Sequence, residues 1–376
     1  MADFYVQRGD LATQIAEKLN PDPLFGEPSG LFLAAPRRTG KSTFLRRELV
    51  PLLQSQGKFT IYCDLWSDRD ADPGALIAKA LADALGELAT TKEKFWDAIP
   101  FDSIGVGGVS VALRDSDAKK SGTFSDVLIE IGKRADKDVV LIIDEAQHAL
   151  RSAAGTDAMF ALKAARDAMN QRDGGARLSL IFTGSHRDKL SGLVIGHTQP
   201  FYGATITDFP KLGRPFAEAV VTAFNPRLAA DNQLSADDVE TALTLLGHQP
   251  EPLLRLVRET ALSDEGSAGL SSAVRDRAVD MRAARWAQHQ SDYGALTDVQ
   301  RAVLRQLIED GEKFAPFAEG TLASISKTLG RDTDTREVQR ALDALREKSL
   351  VWRPSRGIYA LEDQDMREWL LETQLG

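Results

Sequence analysis

One stretch limits the folds open to this chain more than any other: GLFLAAPRRTGKSTFLRRELV, from Gly30 to Val50. An apolar run breaks at Pro36 into a short loop, and a helical pattern starts directly after Gly40. A strand that turns into a helix through such a loop aims backbone N–H groups and the positive helix N-terminus at one spot, which suits a phosphate. Each residue type then has a task. Pro36, Arg37, Arg38 and Thr39 form the cradle, Gly40 lets the backbone approach closely, and Lys41 reaches the β and γ phosphates. The Ser42 hydroxyl is placed to ligate Mg²⁺ and Thr43 to touch the α-phosphate. One position departs from the GxxxxGK[ST] pattern: Ala35 stands where the first glycine belongs, which is acceptable only if that residue keeps a negative φ.

A second motif, DVVLIIDEAQHAL, delivers two carboxylates to the end of a run of β-formers. In an open parallel α/β sheet that end faces the ligand. Asp144 is the candidate partner of Ser42 in a Mg²⁺ shell, and Glu145 the candidate for orienting and polarising an attacking water. A third run, LSLIFTGSHRDKL, ends in small polar residues. Ser185, with Thr183 as second choice, is the candidate sensor of the γ-phosphate; a plain strand-to-loop turn is the alternative.

The rest of the first 213 residues fits these motifs. GLFLAA, FTIYCDL, DVVLIIDEA, LSLIFTG and ATITDF alternate with amphipathic stretches, the rhythm of a parallel sheet covered by helices, and hence of the α/β class. SIGVGGVSVALRDSD interrupts that rhythm with glycine pairs and Val/Ser alternation and reads as an inserted hairpin. Residues 214–290 carry only helical patterns, including LSADDVETALTLLG with Ser235 as N-cap, and read as a helical lid. Residues 291–376 give three helical patterns and two short strands about Ser355-Arg356-Gly357, the layout of a winged helix. Its third helix and wing offer Arg336, Arg340, Arg353 and Arg356 to DNA phosphates, although Glu337, Asp343 and Glu347 dilute that face and leave protein docking as the alternative.

Composition removes other classes. A chain of 376 residues exceeds one ordinary core, so two or three domains are expected. Net charge of −9 argues against coating nucleic acid by bulk charge. No apolar run nears the roughly 20 residues that span a bilayer, and the N-terminus lacks a basic and apolar leader pattern, so a cytoplasmic location is expected. Cys63 has no partner for a disulfide, and the five histidines show no zinc spacing.

Taken in order, FYVQRGDL, APRRTGKST, LIIDEAQHAL, IFTGSHRD, LGHQP and the terminal winged-helix pattern resemble archaeal-type ATPases of the STAND/AAA+ group, and are similar to origin-recognition initiator ATPases. The resemblance implies an ASCE P-loop sheet of order 5-1-4-3-2, a helical lid, and a winged helix that binds DNA or a protein. It also implies that residues 4–8 pack near adenine, that Pro250 of the LGHQP element meets the nucleotide, and that Arg255 is a second-sensor arginine. Where the group has an arginine after its Pro-aromatic-Tyr-Gly element, this chain has Ala204; Arg187 and Arg214 are substitutes by position only and fit better as surface ion-pair residues. Without an arginine on the transferred phosphoryl group, hydrolysis is expected to be slow.

The expected function is therefore an ATP-binding, slowly hydrolysing nucleotide switch that controls a protein effector or a nucleotide-dependent homo-oligomer. The alternative is an ATP-dependent DNA-binding regulator or loader of the replication-initiator or transposition type.

Overall fold

The computed structural model describes residues 4–21, 30–89, 103–113, 121–172, 174–263, 269–355 and 357–373. Ten strands occur among them: β1 Leu31–Ala34, β2 Phe59–Asp64, β3 Ser103–Val106, β4 Val109–Ala112, β5 Ser121–Gly122, β6 Val139–Asp144, β7 Leu178–Gly184, β8 Ile206–Asp208, β9 Val351–Ser355 and β10 Ile358–Leu361. Five of them form one parallel sheet in the order β2-β6-β7-β1-β8. Counting only these in chain order and starting from β8, the order is 5-1-4-3-2, as the sequence resemblance implies. The chain is an α/β P-loop fold.

Both faces of this sheet are covered, which explains the unbroken apolar runs. Side chains alternate along β6: Val139, Leu141 and Ile143 enter one core, while Val140 and Ile142 enter the other. All six residues of β6 are buried. The first core is closed by the helices Pro73–Glu87, Phe124–Ala135 and Ala153–Asn170, and Phe32 stacks on Phe182 within it at 4.6 Å between ring centroids. The second core packs under the helix Gly9–Glu17 and the helical segment after the loop, Lys41–Ser55. That segment is not a plain α-helix. Residues Leu45–Leu49 form a π-helical turn just before Pro51, which has no N–H to donate into the helical ladder.

The interrupting segment forms a small separate sheet, with β3 antiparallel to β4 and parallel to β5. Gly107 and Gly108 turn the hairpin with φ of 57° and 82°. Two successive positive φ values are what a two-residue hairpin turn needs. A side chain at Gly107 would meet the Ala154 Cα at 2.8 Å, so the turn lies directly against the helix Ala153–Asn170.

The described chain divides into two compact units: Gln7–Ala35 with Lys41–Phe209, and Pro210–Gly376 with Met1–Val6 and Pro36–Gly40. The second unit is helical apart from β9 and β10, and holds two apolar clusters. One gathers Phe216, Val220, Leu243, Leu253 and Val257, with Phe4 edge-on to Phe216 and Phe224. Ser235 caps its helix Ala236–Leu245 by accepting from the Asp238 N–H, as its sequence position predicts. The other cluster lies among the helices Asp298–Asp310, Glu319–Leu329 and Thr335–Glu347 and the antiparallel pair β9 and β10. A further helix, Gln364–Thr373, follows the hairpin and was not foreseen in the sequence.

The 25-residue helix Leu270–Gly294 runs across the expected boundary at residue 290 and contributes to both clusters. Arg285 on this helix holds Asp365 through two bonds of 2.9 Å and the Leu245 carbonyl at 2.8 Å, while His289 adds a 2.9 Å contact to Asp365. Burial opposes a charge on Asp365, but the bonds from His289 and Arg285 outweigh it and hold the carboxyl well below its ordinary range. The long helix is thus tied to both clusters by charge-assisted bonds as well as by packing.

Candidate nucleotide site

The carboxyl ends of β1, β6 and β7 lie side by side, because β6 and β1 both pair with β7. The loop from β1 to the helix begins at Ala35, whose N–H donates to the Gly184 carbonyl at 3.0 Å. Among the described residues Ala35 is not one of those with positive φ; the left-handed positions of the loop are Arg38 at 65° and Gly40 at 84°. The alanine is therefore compatible with the loop, and the unusual conformation is taken by Arg38. Thr39 is buried and closes the loop by donating to the Pro36 carbonyl at 2.8 Å. Pro36, Arg37 and Arg38 are exposed, Gly40 and Ser42 are half-buried, and Thr43 is exposed.

Lys41 is only 5% exposed, and its ammonium is held at 2.6 Å by Asp144 Oδ1, at 2.7 Å by Thr183 Oγ1 and at 3.4 Å by Glu145 Oε1. Thr183 also donates to Asp144 Oδ1. The other Asp144 oxygen accepts from the Tyr62 hydroxyl at 2.6 Å. Burial by itself would raise the Asp144 carboxyl, but the Lys41 charge and hydrogen bonds from Lys41, Ser42 and Thr183 prevail and keep it far below the ordinary carboxylate range. Asp144 is therefore an ionised group in a nearly dry site. For the Tyr62 phenol, burial and the Asp144 charge act in the same direction and push its pKa up.

Glu145 follows the strand end in a left-handed conformation, φ 54° and ψ 41°. That geometry turns its side chain out of the sheet and toward β7, where Ser185 Oγ donates to Oε2 at 2.8 Å and Gln147 Nε2 donates to the same oxygen at 2.5 Å. Burial raises the Glu145 carboxyl, whereas Lys41, Gln147 and Ser185 lower it, and the lowering is larger. Gln147 is buried, and its Oε1 has no hydrogen-bond partner among the described residues. A Cβ on Gly184 would approach that oxygen to 2.6 Å, so the glycine makes room for the amide.

The sequence-derived residues thus fall into separate groups. Lys41, Ser42, Asp144, Glu145, Thr183 and Ser185 converge, with Thr183 on the lysine and aspartate and Ser185 on the glutamate. Pro250 begins the helix Pro250–Ala261 in the second unit, and Arg255 is exposed on that helix. Arg187 pairs with Asp208 at 2.6 Å, and Arg214 pairs with Glu218 at 2.9 Å and Glu240 at 3.2 Å, so both are ion-paired as the sequence suggests. Arg336 and Arg340 are exposed on the helix Thr335–Glu347, Arg353 is half-buried near the Tyr359 ring, and Arg356 lies outside the described residues. Sequence reasoning missed Tyr62 and Gln147. The first needs the β2 to β6 register, with Asp64 opposite Asp144, to be placed; the second was within reach as the fourth letter of DEAQ.

The oxygen donors brought together here, one hydroxyl and one ionised carboxylate, fit a hard divalent cation that keeps most of its waters, as Mg²⁺ does. A positively charged loop end beside a buried acidic strand end, on a 5-1-4-3-2 parallel sheet, defines a P-loop nucleotide-binding protein. Residues 26–190 match the family described as AAA domain.

Among solved structures, the chain is similar to the Walker-type ATPase of Pyrococcus abyssi, at TM-score 0.55 and 16% identity, covering 97% of this chain and 95% of that one. It is also similar to the ORC2 protein of Aeropyrum pernix in its ADP form, at TM-score 0.55 and 14% identity, covering 100% of this chain and 96% of that one. At these identities the likeness is one of fold. No curated protein matches the chain by sequence. No helix among the described residues is long and apolar enough to cross a membrane.

Proposed function

We propose that the chain binds ATP with Mg²⁺ at the loop Ala35–Thr43 and hydrolyses it slowly, and that the bound nucleotide switches the conformation of the helices after residue 213. The observation that carries this reading is the Lys41, Asp144 and Glu145 constellation: a buried cation and carboxylate beside a half-buried second carboxylate, at the ligand end of a parallel sheet. In this reading the Lys41 ammonium exchanges Asp144 for the β and γ phosphates. Ser42 and Asp144 would hold the Mg²⁺, which when bound would neutralise charge on the phosphates. Glu145 orients the attacking water and accepts its proton, giving ADP and phosphate. The contacts of Ser185 with Glu145 and of Thr183 with Lys41 support a γ-phosphate sensor role for either hydroxyl.

Residues 214–290 are the proposed lid, with Pro250 and Arg255 as its nucleotide contacts, and residues 291–376 the proposed winged helix. Because Ala204 replaces the arginine and both Arg187 and Arg214 are ion-paired, intrinsic turnover is expected on the order of 10⁻⁴ s⁻¹, as for P-loop nucleotidases that act without an arginine finger. Hydrogen exchange tests the switch: the helix Pro250–Ala261 exchanges more slowly with a non-hydrolysable ATP analogue than with ADP. Equal exchange in the two states removes it.

The exposure of Arg336 and Arg340 on one helix supports the second reading, a DNA-binding regulator in which ATP stabilises an assembly. Titration of labelled duplex at two salt concentrations distinguishes it. Neutralising two or three phosphates weakens affinity by roughly 10-fold or more between 50 and 200 mM salt, with Arg336→Ala/Arg340→Ala flattening the slope. Binding that is absent, or that both salt and substitution leave unchanged, excludes this reading.

A further inference from the structure

We infer that Tyr62 is a positioning residue for the metal shell: its hydroxyl fixes the rotation of the Asp144 carboxylate so that the opposite oxygen faces the loop helix. This rests on the proposed role of Asp144 in holding Mg²⁺.

The geometry is specific. Asp144 Oδ1 is the crowded oxygen, taking Lys41 Nζ at 2.6 Å, the Glu145 N–H at 3.1 Å and the Thr183 hydroxyl. Oδ2 takes Tyr62 at 2.6 Å. A carboxylate held from both oxygens loses the freedom to turn about its Cβ–Cγ bond, and bonds to the far oxygen of a ligating carboxylate orient the near one. Tyr62 reaches this oxygen from the neighbouring strand because β2 and β6 are parallel and in register, with Tyr62 opposite Ile142 and Asp64 opposite Asp144.

Tyr62 is itself held. The Arg46 guanidinium lies 4.4 Å from the centre of its ring and pairs with Asp64 at 3.7 Å. Arg46 lies on the π-helical turn that continues the helix bearing Lys41 and Ser42. The relay Arg46 to Tyr62 to Asp144 therefore joins the helix that carries one oxygen donor to the strand that carries the other. Removing the tyrosine hydroxyl leaves the phosphate loop and both donors in place but leaves the carboxylate held from Oδ1 alone.

The test separates metal from nucleotide. The affinity of a fluorescent ATP analogue is measured in excess Mg²⁺ and in EDTA for wild type, Tyr62→Phe and Asp144→Asn, and Mn²⁺ binding to the nucleotide complex is followed by electron paramagnetic resonance. For Tyr62→Phe the EDTA affinity stays within about 2-fold of wild type, while Mn²⁺ affinity falls about 10-fold, the lower end for loss of a bond to a metal ligand. Arg46→Met shifts Mn²⁺ affinity in the same direction by a smaller factor. Unchanged Mn²⁺ affinity in Tyr62→Phe, with a clear loss in Asp144→Asn, overturns the role of Tyr62 alone. No loss in Asp144→Asn overturns the metal role of Asp144 and this inference with it. Equal losses with and without metal in Tyr62→Phe mark a merely structural residue and also overturn it.

Discussion

Replacing Lys41 by alanine is expected to destabilise the first unit by about 3–5 kcal/mol, the cost of leaving a buried charge without its partner. Asp144 is 1% exposed and Lys41 5%, so water reaches neither group freely. With the ammonium gone, the largest influence lowering the Asp144 pKa disappears, and burial, which acts in the opposite direction, takes over. The sign of the pH effect follows. In wild type the folded-state pKa is depressed, so the stabilisation is present above the unfolded value of about 3.9 and is lost as pH falls through the lower folded value. In Lys41→Ala the folded pKa is raised instead, and the variant loses stability as pH rises past the unfolded value. Chemical denaturation at about pH 5 and about pH 8 measures this: the gap to wild type widens at the higher pH. Adding Asp144→Asn removes the buried charge and the slope together. A Lys41→Ala protein as stable as wild type at both pH values contradicts the buried pair.

Glu145→Gln carries the other large effect. The amide keeps the size and shape of the side chain, and its carbonyl oxygen can still accept from Ser185 and Gln147, which meet Glu145 Oε2 at 2.8 and 2.5 Å. It cannot take a proton from water. Turnover is expected to fall by about 10²–10⁴-fold, the usual contribution of a positioned general base, with ATP affinity within a few-fold of wild type. Phosphate release under single-turnover conditions, alongside an ATP titration, measures both quantities. Equal turnover by the two proteins removes the assigned role of Glu145.

The α/β class and the loop were legible because each depends on local pattern. Strands buried on both faces must be apolar at every position, as Val139–Ile143 are, and a phosphate loop needs its glycine next to its lysine, as Gly40 and Lys41 are. What escaped depends on register between strands distant in sequence. Tyr62 and Asp144 are 82 residues apart and meet only because β2 pairs in parallel with β6. The partners of Thr183 and Ser185 show the same limit, since period-two alternation does not say which hydroxyl meets the lysine and which the glutamate. The helix Leu270–Gly294 continues without a break through residue 290, where the sequence places a boundary.

ATP binding at this loop is measured by an ATP titration with the Lys41→Ala/Asp144→Asn protein, which loses the phosphate-reaching ammonium together with the buried carboxylate that the ammonium neutralises. Calorimetry in EDTA, where the metal shell plays no part, is expected to give one nucleotide per wild-type chain and an affinity at least about 100-fold weaker for the variant, a loss of some 2.7 kcal/mol. Wild-type affinity in a folded variant contradicts the assignment.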